Sequence, residues 1–565
     1  MSFVTAILER LETQPERIAL AQGQGAARRE LSASALATAI YRARAHLRAR
    51  GLRPGDRVVL VGQNTPEWVI CDLAVLAEGG VLVPFDPRAA EGEGQELAEL
   101  IADADPVLAL HDEGLSLPEL AQHCHQVDAL PLQELGADAP AEREPPRMLP
   151  DDALATLIYT SGSSGRPKGV MLTRGNLGFM LSRTEERLGE LTRLPFAAER
   201  ALHYLPLCYA GSRVLLLSCL LRGARLELVA DPRQLGEALE PAAADYFLNV
   251  PLVLERFMRA AVGAIEAKGA VPRRLLRRAR AAHQRREAGQ AGLRDRATLA
   301  LAERLLFRKV RARFGPRLRG LICGSAPLSP ETQGFFHMLG VPVYQGYGLT
   351  ETSALCTLDR EGEILPGRVG PALPDVEMRR AETGEIETRG PHVFAGYWGQ
   401  PAATAEAFSA EGWFKTGDLG DVDAFGRWRI GGRQSAMLVL SSGHNLPPEP
   451  LEEVLRAALI EQLGPELADV QVLVVGHGHP HAAALVAWPS GTLTPSQVHE
   501  VLDRLNSALE PKRRLHRAAV LSEPFSPENG LLTQNLKPRR GAIAARYADV
   551  IEHLYTTSEP ALAVP

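Results

Sequence analysis

Tyr159-Thr160-Ser161-Gly162-Ser163-Ser164-Gly165-Arg166-Pro167-Lys168-Gly169-Val170 is the stretch that decides the fold. An apolar run of β character at 155–159 leads into it, and small hydroxyl-bearing residues then alternate with glycine. Glycines let backbone N–H groups approach a polyphosphate closely, the hydroxyls add donors, and Lys168 supplies a cation. The run is not the GxxxxGK[ST] loop, which needs glycine where this chain has Pro167. Composition alone would also suit a linker. The strand before the loop and the Pro-Lys-Gly after it argue instead for a phosphate cradle.

Working outward, short apolar runs alternate with helical patterns. Residues 57–61 form an apolar strand after a Pro-Gly-Asp turn, 67–77 have helical spacing, 80–84 are apolar again, and a charged helix leads to 106–110. Further β-like runs stand at 225–229, 246–249, 318–323 and 341–344. This alternation predicts βαβ units on parallel sheet. Residues 138–152, rich in Pro, Ala and acid, read as a surface linker. After Gly432 a second α+β pattern begins, with helices at 450–461 and 495–508 and strands at 470–475 and 483–488. The expected architecture is therefore α/β, a large domain over 1–431 and a small α+β domain over 432–565. The tail 556–565 reads as frayed.

The charge balance, −6 over 565 residues, gives no ground for a nucleic-acid partner. The six cysteines make no C-x-x-C pair, which argues against a zinc or redox motif. His123-Cys124-His125 reads as a loop, and so do the alternating His477, His479 and His481. Scattered cysteines and an amphipathic start without a secretory core suggest the cytoplasm. No apolar stretch is long and uncharged enough to span a bilayer. A basic helical insertion at about 258–315 stands out, with Leu299, Leu305, Leu306 and Val310 at helical spacing. It reads either as a solvated cationic face or as a surface for anionic lipid or coenzyme A phosphates, the lipid reading implying peripheral contact at the inner face of a membrane.

Five other runs follow the cradle in order: Gly324-Ser325-Ala326-Pro327-Leu328, Tyr344-Gln345-Gly346-Tyr347-Gly348-Leu349-Thr350-Glu351-Thr352, Gly412-Trp413-Phe414-Lys415-Thr416-Gly417-Asp418, Gly432-Arg433, and Asn529-Gly530-Leu531-Leu532-Thr533 through Lys537 to Arg539-Arg540. Together with the cradle they resemble the signatures of the adenylate-forming superfamily. That group holds acyl-CoA synthetases, peptide-synthetase adenylation domains and beetle luciferases. Tyr204-Leu205-Pro206-Leu207, Val250-Pro251-Leu252-Val253, the basic insertion and the Asn-Gly-Leu-Leu-Thr run resemble its long-chain fatty acyl-CoA synthetases.

The resemblance implies ATP, Mg²⁺ and coenzyme A as cofactors and cosubstrates, and a fatty acid as substrate. It implies a nucleotide site of Thr160, Ser161, Gly162, Ser163, Ser164, Gly165, Lys168, Gly324, Ser325, Ala326, Gln345, Gly346, Tyr347, Gly348, Thr350, Asp418 and Arg433. Lys537, Glu351 and Lys168 become catalytic, Glu351 and Thr160 metal-facing, and Tyr209, Gly324 and Gly346 part of the acyl pocket. The chemistry is coherent. A carboxylate attacking the α-phosphorus of ATP crowds negative charge there, so cations must gather. Glu351 is a hard oxygen ligand suited to Mg²⁺. Asp418 can accept two ribose hydroxyls, and Tyr347 offers a purine a flat face. Taken alone, Lys537 reads as one more exposed lysine in a basic tail.

Two departures stand out. Where many relatives carry histidine after Leu-Pro-Leu this chain has Cys208-Tyr209, and the hinge run is Arg433-Gln434-Ser435-Ala436-Met437 in place of a charged hinge residue. The expected reaction is formation of acyl-AMP and then of a coenzyme A thioester. The rivals are an acyl-AMP ligase that loads a carrier protein, or a specialised relative that uses the adenylate otherwise, and a non-catalytic nucleotide- or acyl-binding protein.

Overall fold

Arg57–Val61 and Val81–Phe85 pair in parallel, and between them only Arg57 is not fully buried, so these apolar runs need cover on both faces. The helix Pro66–Ala77 that joins them supplies part of that cover. It starts at Thr65, whose hydroxyl accepts the Trp68 N–H, with Pro66 in the first turn. This unit belongs to a computed structural model that describes residues 2–90, 95–112, 128–131, 141–160, 167–526, 528–532, 538–556, 559 and 561–564.

Two parallel-rich sheets dominate the large domain. The first runs in the order Gly396–Tyr397, Lys168–Thr173, Leu154–Thr160, Val81–Phe85, Arg57–Val61, Leu108–His111, Asp128–Pro131. The second runs Thr357–Leu358, Val343–Tyr347, Gly320–Cys323, Tyr246–Asn249, Arg200–His203, Arg225–Leu228, Ile18–Gln22, Arg29–Ser32. Helices Ala33–Ala49, Pro66–Ala77, Arg174–Thr192 and Ala210–Leu221 contribute to a common core that also takes in side chains of both sheets. A third sheet, Glu377–Arg380, Glu385–Arg389, Phe414–Val422 and Trp428–Arg433, is wholly antiparallel. The smaller C-terminal domain carries the sheet Gln471–Val475, Ala482–Ala487, Leu515–Leu521 and Ala561–Val564, with helices Pro448–Leu463 and Pro495–Ala508 packed on it.

Three expectations are corrected. The tail is not frayed throughout, because Ala561–Val564 pairs in parallel with Leu515–Leu521 as an edge strand. Leu305 leaves the buried stripe because the chain makes a π-helical turn at Glu303–Phe307. That wider turn keeps Leu306 and Phe307 inside and turns Leu305 to solvent. The histidines near 477 are not all solvated. His479 stacks on Tyr555 with ring centroids 3.8 Å apart, and His481 lies 4.6 Å from the ring of His516.

Cys71, Cys208, Cys219, Cys323 and Cys356 are free and buried. His123-Cys124-His125 lies outside the described residues. Among the described residues no helix is long and apolar enough to cross a membrane, and no cluster of three or more His, Cys, Asp or Glu side chains is placed to hold a metal.

Candidate functional site

The two ends of the cradle lie side by side: Thr160 and Lys168 are register partners across the antiparallel pair Leu154–Thr160 and Lys168–Thr173. Ser161, Gly162, Ser163, Ser164 and Gly165 fall outside the described residues. Their two anchors do not. Asp103 accepts the Tyr159 hydroxyl at 2.6 Å and the Trp398 indole N–H through its backbone oxygen at 3.1 Å. The Trp398 N–H donates to the Gly169 carbonyl at 2.8 Å, tying the 396–398 segment along this strand pair.

That segment supplies a residue the sequence reading did not single out. Tyr397 stands opposite Val170 in the sheet, and the Lys168 ammonium sits 4.8 Å from the centre of its ring. Its hydroxyl donates to Glu351 Oε1 at 3.0 Å. Burial raises the Tyr397 hydroxyl pKa, the Glu351 charge raises it further, and the charge of Arg433 opposes both. Tyr397 thus joins the cation of the cradle, the acid of the Tyr347–Thr352 region and the arginine of the hinge. The signal available was an aromatic pair framed by glycine, Gly396-Tyr397-Trp398-Gly399.

Glu351 sits in the 3-10 turn Thr350–Thr352, and its carbonyl accepts the Phe394 N–H at 2.8 Å. The turn follows the strand Val343–Tyr347, which sets the remaining geometry. The Tyr347 hydroxyl donates to Asp418 Oδ2 at 2.8 Å, and Arg433 Nε reaches Asp418 Oδ1 at 2.8 Å. Asp418 and Arg433 are themselves paired across their strands. Burial, and then the charge of Asp418, holds the Tyr347 hydroxyl protonated. Gly348 admits no side chain, since a Cβ there would stand 2.3 Å from the Ala354 carbonyl oxygen.

Gln345 is buried. Its amide donates to Gln333 Oε1 at 2.9 Å and to the Arg368 carbonyl at 3.1 Å, so its side chain braces the strand. Gly346 packs against Leu355 and Leu358, and Gly324 faces the Gly346 carbonyl. Ser325 and Ala326 are exposed at the end of the neighbouring strand, Ser325 with φ of 73°, a left-handed conformation that non-glycine residues adopt under constraint. Tyr209 precedes the helix Ala210–Leu221, and its hydroxyl lies 3.4 Å from Asp86 Oδ2. Lys537 is outside the described residues, but its flanks are tied, because Leu532 and Pro538 form an antiparallel bridge.

Asp359 is a second residue the sequence did not announce. Its Oδ2 accepts the Gln345 N–H at 2.8 Å, while its buried Oδ1 finds no hydrogen-bond partner among the described residues. Burial pushes this carboxyl up to about 7. A carboxyl raised in the folded state favours folding below its unfolded pKa, and that contribution is lost as pH rises through the folded value. Asp359→Asn is therefore expected to gain stability relative to the parent as pH goes from about 5 to about 8. Paired melting curves across that range check it, and a constant difference would refute it.

Comparison with known proteins adds to this geometry. The model of the AMP-binding enzyme family matches residues 7–398, and that of the AMP-binding enzyme C-terminal domain matches 435–559. The long-chain-fatty-acid–CoA ligase FadD15 of Mycobacterium bovis is 32% identical over 545 residues, covering 89% of this chain and 89% of that protein. Human long-chain-fatty-acid–CoA ligase 1 is 29% identical over 561 residues, covering 89% and 79% respectively. Among solved structures, ATP-bound MatB from Rhodopseudomonas palustris superposes with a TM-score of 0.74 at 24% identity, covering 97% of this chain and 100% of that one. O-succinylbenzoate coenzyme A synthetase (MenE) from Bacillus subtilis, in complex with ATP and magnesium ion, gives 0.69 at 22% identity, covering 91% and 95%. At these identities the structural likeness is one of fold.

Proposed function

This chain belongs to the AMP-binding enzyme family, and from that premise we propose that it activates a medium- or long-chain fatty acid with ATP and passes the acyl group to coenzyme A. The observation that carries the reading is the run of contacts from Lys168 through Tyr397 to Glu351, together with the Tyr347–Asp418–Arg433 group, whose arginine charge acts on Tyr397. In step one a fatty carboxylate oxygen attacks the α-phosphorus, the bond to the bridging oxygen breaks, and pyrophosphate leaves. In step two the coenzyme A thiolate attacks the acyl carbonyl and AMP leaves.

Lys168 and the cradle bind phosphate oxygens. Asp418 accepts the ribose hydroxyls, steadied by Tyr347 and Arg433. Lys537 neutralises the reacting carboxylate. The donors present suit Mg²⁺: Tyr397 bonds to Oε1 of Glu351, the second carboxylate oxygen is a hard ligand, and Thr160, at the end of the strand that leads into the cradle, would add a hydroxyl. When bound, the ion neutralises phosphate charge as the phosphorus–oxygen bond is lost. The small number of protein ligands fits an ion that takes most of its remaining shell from water and phosphates. We assign the large domain to 1–431 and the small one to 432–565, and the reaction to the cytoplasm.

The test is pyrophosphate release across acids from acetate to oleate and aryl acids, with and without coenzyme A. Release peaking at a medium- or long-chain acid, with acyl-CoA and AMP as products, is expected. Activity confined to aryl or short acids would overturn the substrate. A thioester on a carrier-protein phosphopantetheine in place of free coenzyme A would overturn the acceptor. No release with any acid would leave a binding protein.

Asp418→Asn keeps the size of the side chain and removes its charge. Losing charge-assisted hydrogen bonds to ribose is expected to raise the KM for ATP by about ten- to a hundredfold, from ~1.5–3 kcal/mol per bond. Steady-state kinetics at varied ATP measures this, and an unchanged KM would remove Asp418 from the nucleotide site.

A further inference from the structure

The helices Ala270–Glu287 and Leu293–Ala302, with the continuation to Ala312, form a hairpin whose charge departs from that of the whole chain. Residues 270–312 hold thirteen arginines and lysines against three acids, in a protein of net charge −6. Its two helices are clamped by Arg285 and Asp295 at 2.5 Å. On the first helix Leu276, Ala279, Ala282 and His283 face inward, while Arg273, Arg274, Arg277 and Arg278 are exposed and have no acidic partner among the described residues.

On the second helix Leu299, Ala302 and Leu306 pack inward. Leu293, Ala297, Leu301 and Arg304, spaced four, four and three residues apart, lie along the solvent side. Of the twelve large apolar side chains exposed among the described residues, four belong to this hairpin: Val271 at 76%, Leu293 at 82%, Leu301 at 50% and Leu305 at 47%.

Exposed aliphatic side chains are costly in water, and on a hairpin that also carries arginines without acidic partners among the described residues they suit one boundary, where phosphate headgroups meet acyl chains. We propose that this hairpin docks the protein on an anionic phospholipid surface, its arginines on headgroup phosphates and Val271, Leu293, Leu301 and Leu305 at the acyl boundary. Nucleic acid would use the arginines but not the leucines. The hairpin's phenylalanine, Phe307, is buried and offers no base a stacking face.

The surface is independent of the adenylation chemistry, and sedimentation with vesicles tests it on the full chain. Binding is expected to vesicles containing phosphatidylglycerol and not to phosphatidylcholine alone, and to weaken in high salt. Changing Arg273, Arg274, Arg277 and Arg278 together to Gln is expected to weaken binding roughly a hundredfold or more. Leu293→Ser with Leu301→Ser is expected to weaken it about tenfold. Both variants keep the melting temperature of the parent and its turnover on a soluble medium-chain acid; the melting curve shows that they fold whatever the catalytic outcome, which separates this proposal from the catalytic one. Vesicle binding that survives loss of the four arginines overturns the proposal. Leucine variants that bind like the parent, or a single-stranded oligonucleotide bound as tightly as vesicles, overturn it in favour of a soluble polyanion.

Discussion

Glu351→Gln is expected to lower acid-dependent pyrophosphate release by roughly 10²–10³-fold, the usual cost of removing one electrostatic contributor to a charged transition state. Glutamine is nearly isosteric with glutamate. Its amide oxygen can still accept the Tyr397 hydroxyl now bonded to Glu351 Oε1 at 3.0 Å, and the backbone bond from Phe394 to the Glu351 carbonyl is untouched. The fold should therefore persist, with melting shifted by no more than a few degrees, as for a change of about 1 kcal/mol or less. What disappears is the anion proposed to recruit Mg²⁺ to the phosphates. The apparent affinity for Mg²⁺, read from initial rates at fixed ATP, should fall with the rate. Tyr397→Phe is the companion variant: it deletes the hydroxyl and keeps the ring on which the Lys168 ammonium rests at 4.8 Å. Its loss should be smaller, because the acid is then less well oriented but still charged. If Glu351→Gln retained activity within threefold at ordinary Mg²⁺, this glutamate would be a structural hydrogen-bond acceptor and the metal would have to sit elsewhere.

Local chemistry and long-range pairing explain which parts of this molecule could be read from the sequence. The strand expected at 57–61 appears as Arg57–Val61 and that at 246–249 as Tyr246–Asn249, because a short apolar run bounded by turn residues specifies itself. The antiparallel sheet over 377–433 was not foreseen. Its strands Glu377–Arg380 and Phe414–Val422 are half polar, and their identity comes from partners rather than from their own pattern. Ala561–Val564 was missed for the same reason, since four residues gain strand character only by lying beside Leu515–Leu521. At the site, the motif residues were visible because each run carries its own glycines and charges. Tyr397 was not, because its place depends on a pairing with Val170 and a hydrogen bond to Glu351, both remote in sequence. The exposure of Leu305 depends on one π-helical turn, which no periodicity of side chains announces.

Lys537→Ala is expected to abolish ATP–pyrophosphate exchange, by 10³-fold or more, while thioester formation from preformed acyl-AMP survives within about threefold. The size of the first effect follows from the chemistry. An attacking carboxylate and a triphosphate repel, and a cation at the forming bond stabilises the transition state more than the bound ground state. The survival of the second follows because acyl-AMP already holds the mixed carboxylic–phosphoric anhydride: the free carboxylate that needed neutralising is gone, and the sulfur attacks an uncharged carbonyl carbon. The surroundings of Lys537 should tolerate the change. The bridge between Leu532 and Pro538 and the Arg539 N–H to Leu531 carbonyl bond of 2.9 Å are backbone contacts. Arg540 is held independently by Glu452 at 2.6 Å, and the hinge pair Asp418–Arg433 at 2.8 Å involves neither residue. The small domain also touches the large one through Arg456 and the buried Glu255 at 3.1 Å, a contact that alanine at 537 leaves alone. A rotation of the small domain between two poses, with Lys537 engaged in only one, then predicts that the two half-reactions respond separately. Measured on one preparation, exchange and thioester formation that fell by the same factor would show that Lys537 serves both poses, and the proposed division of labour between them would fail.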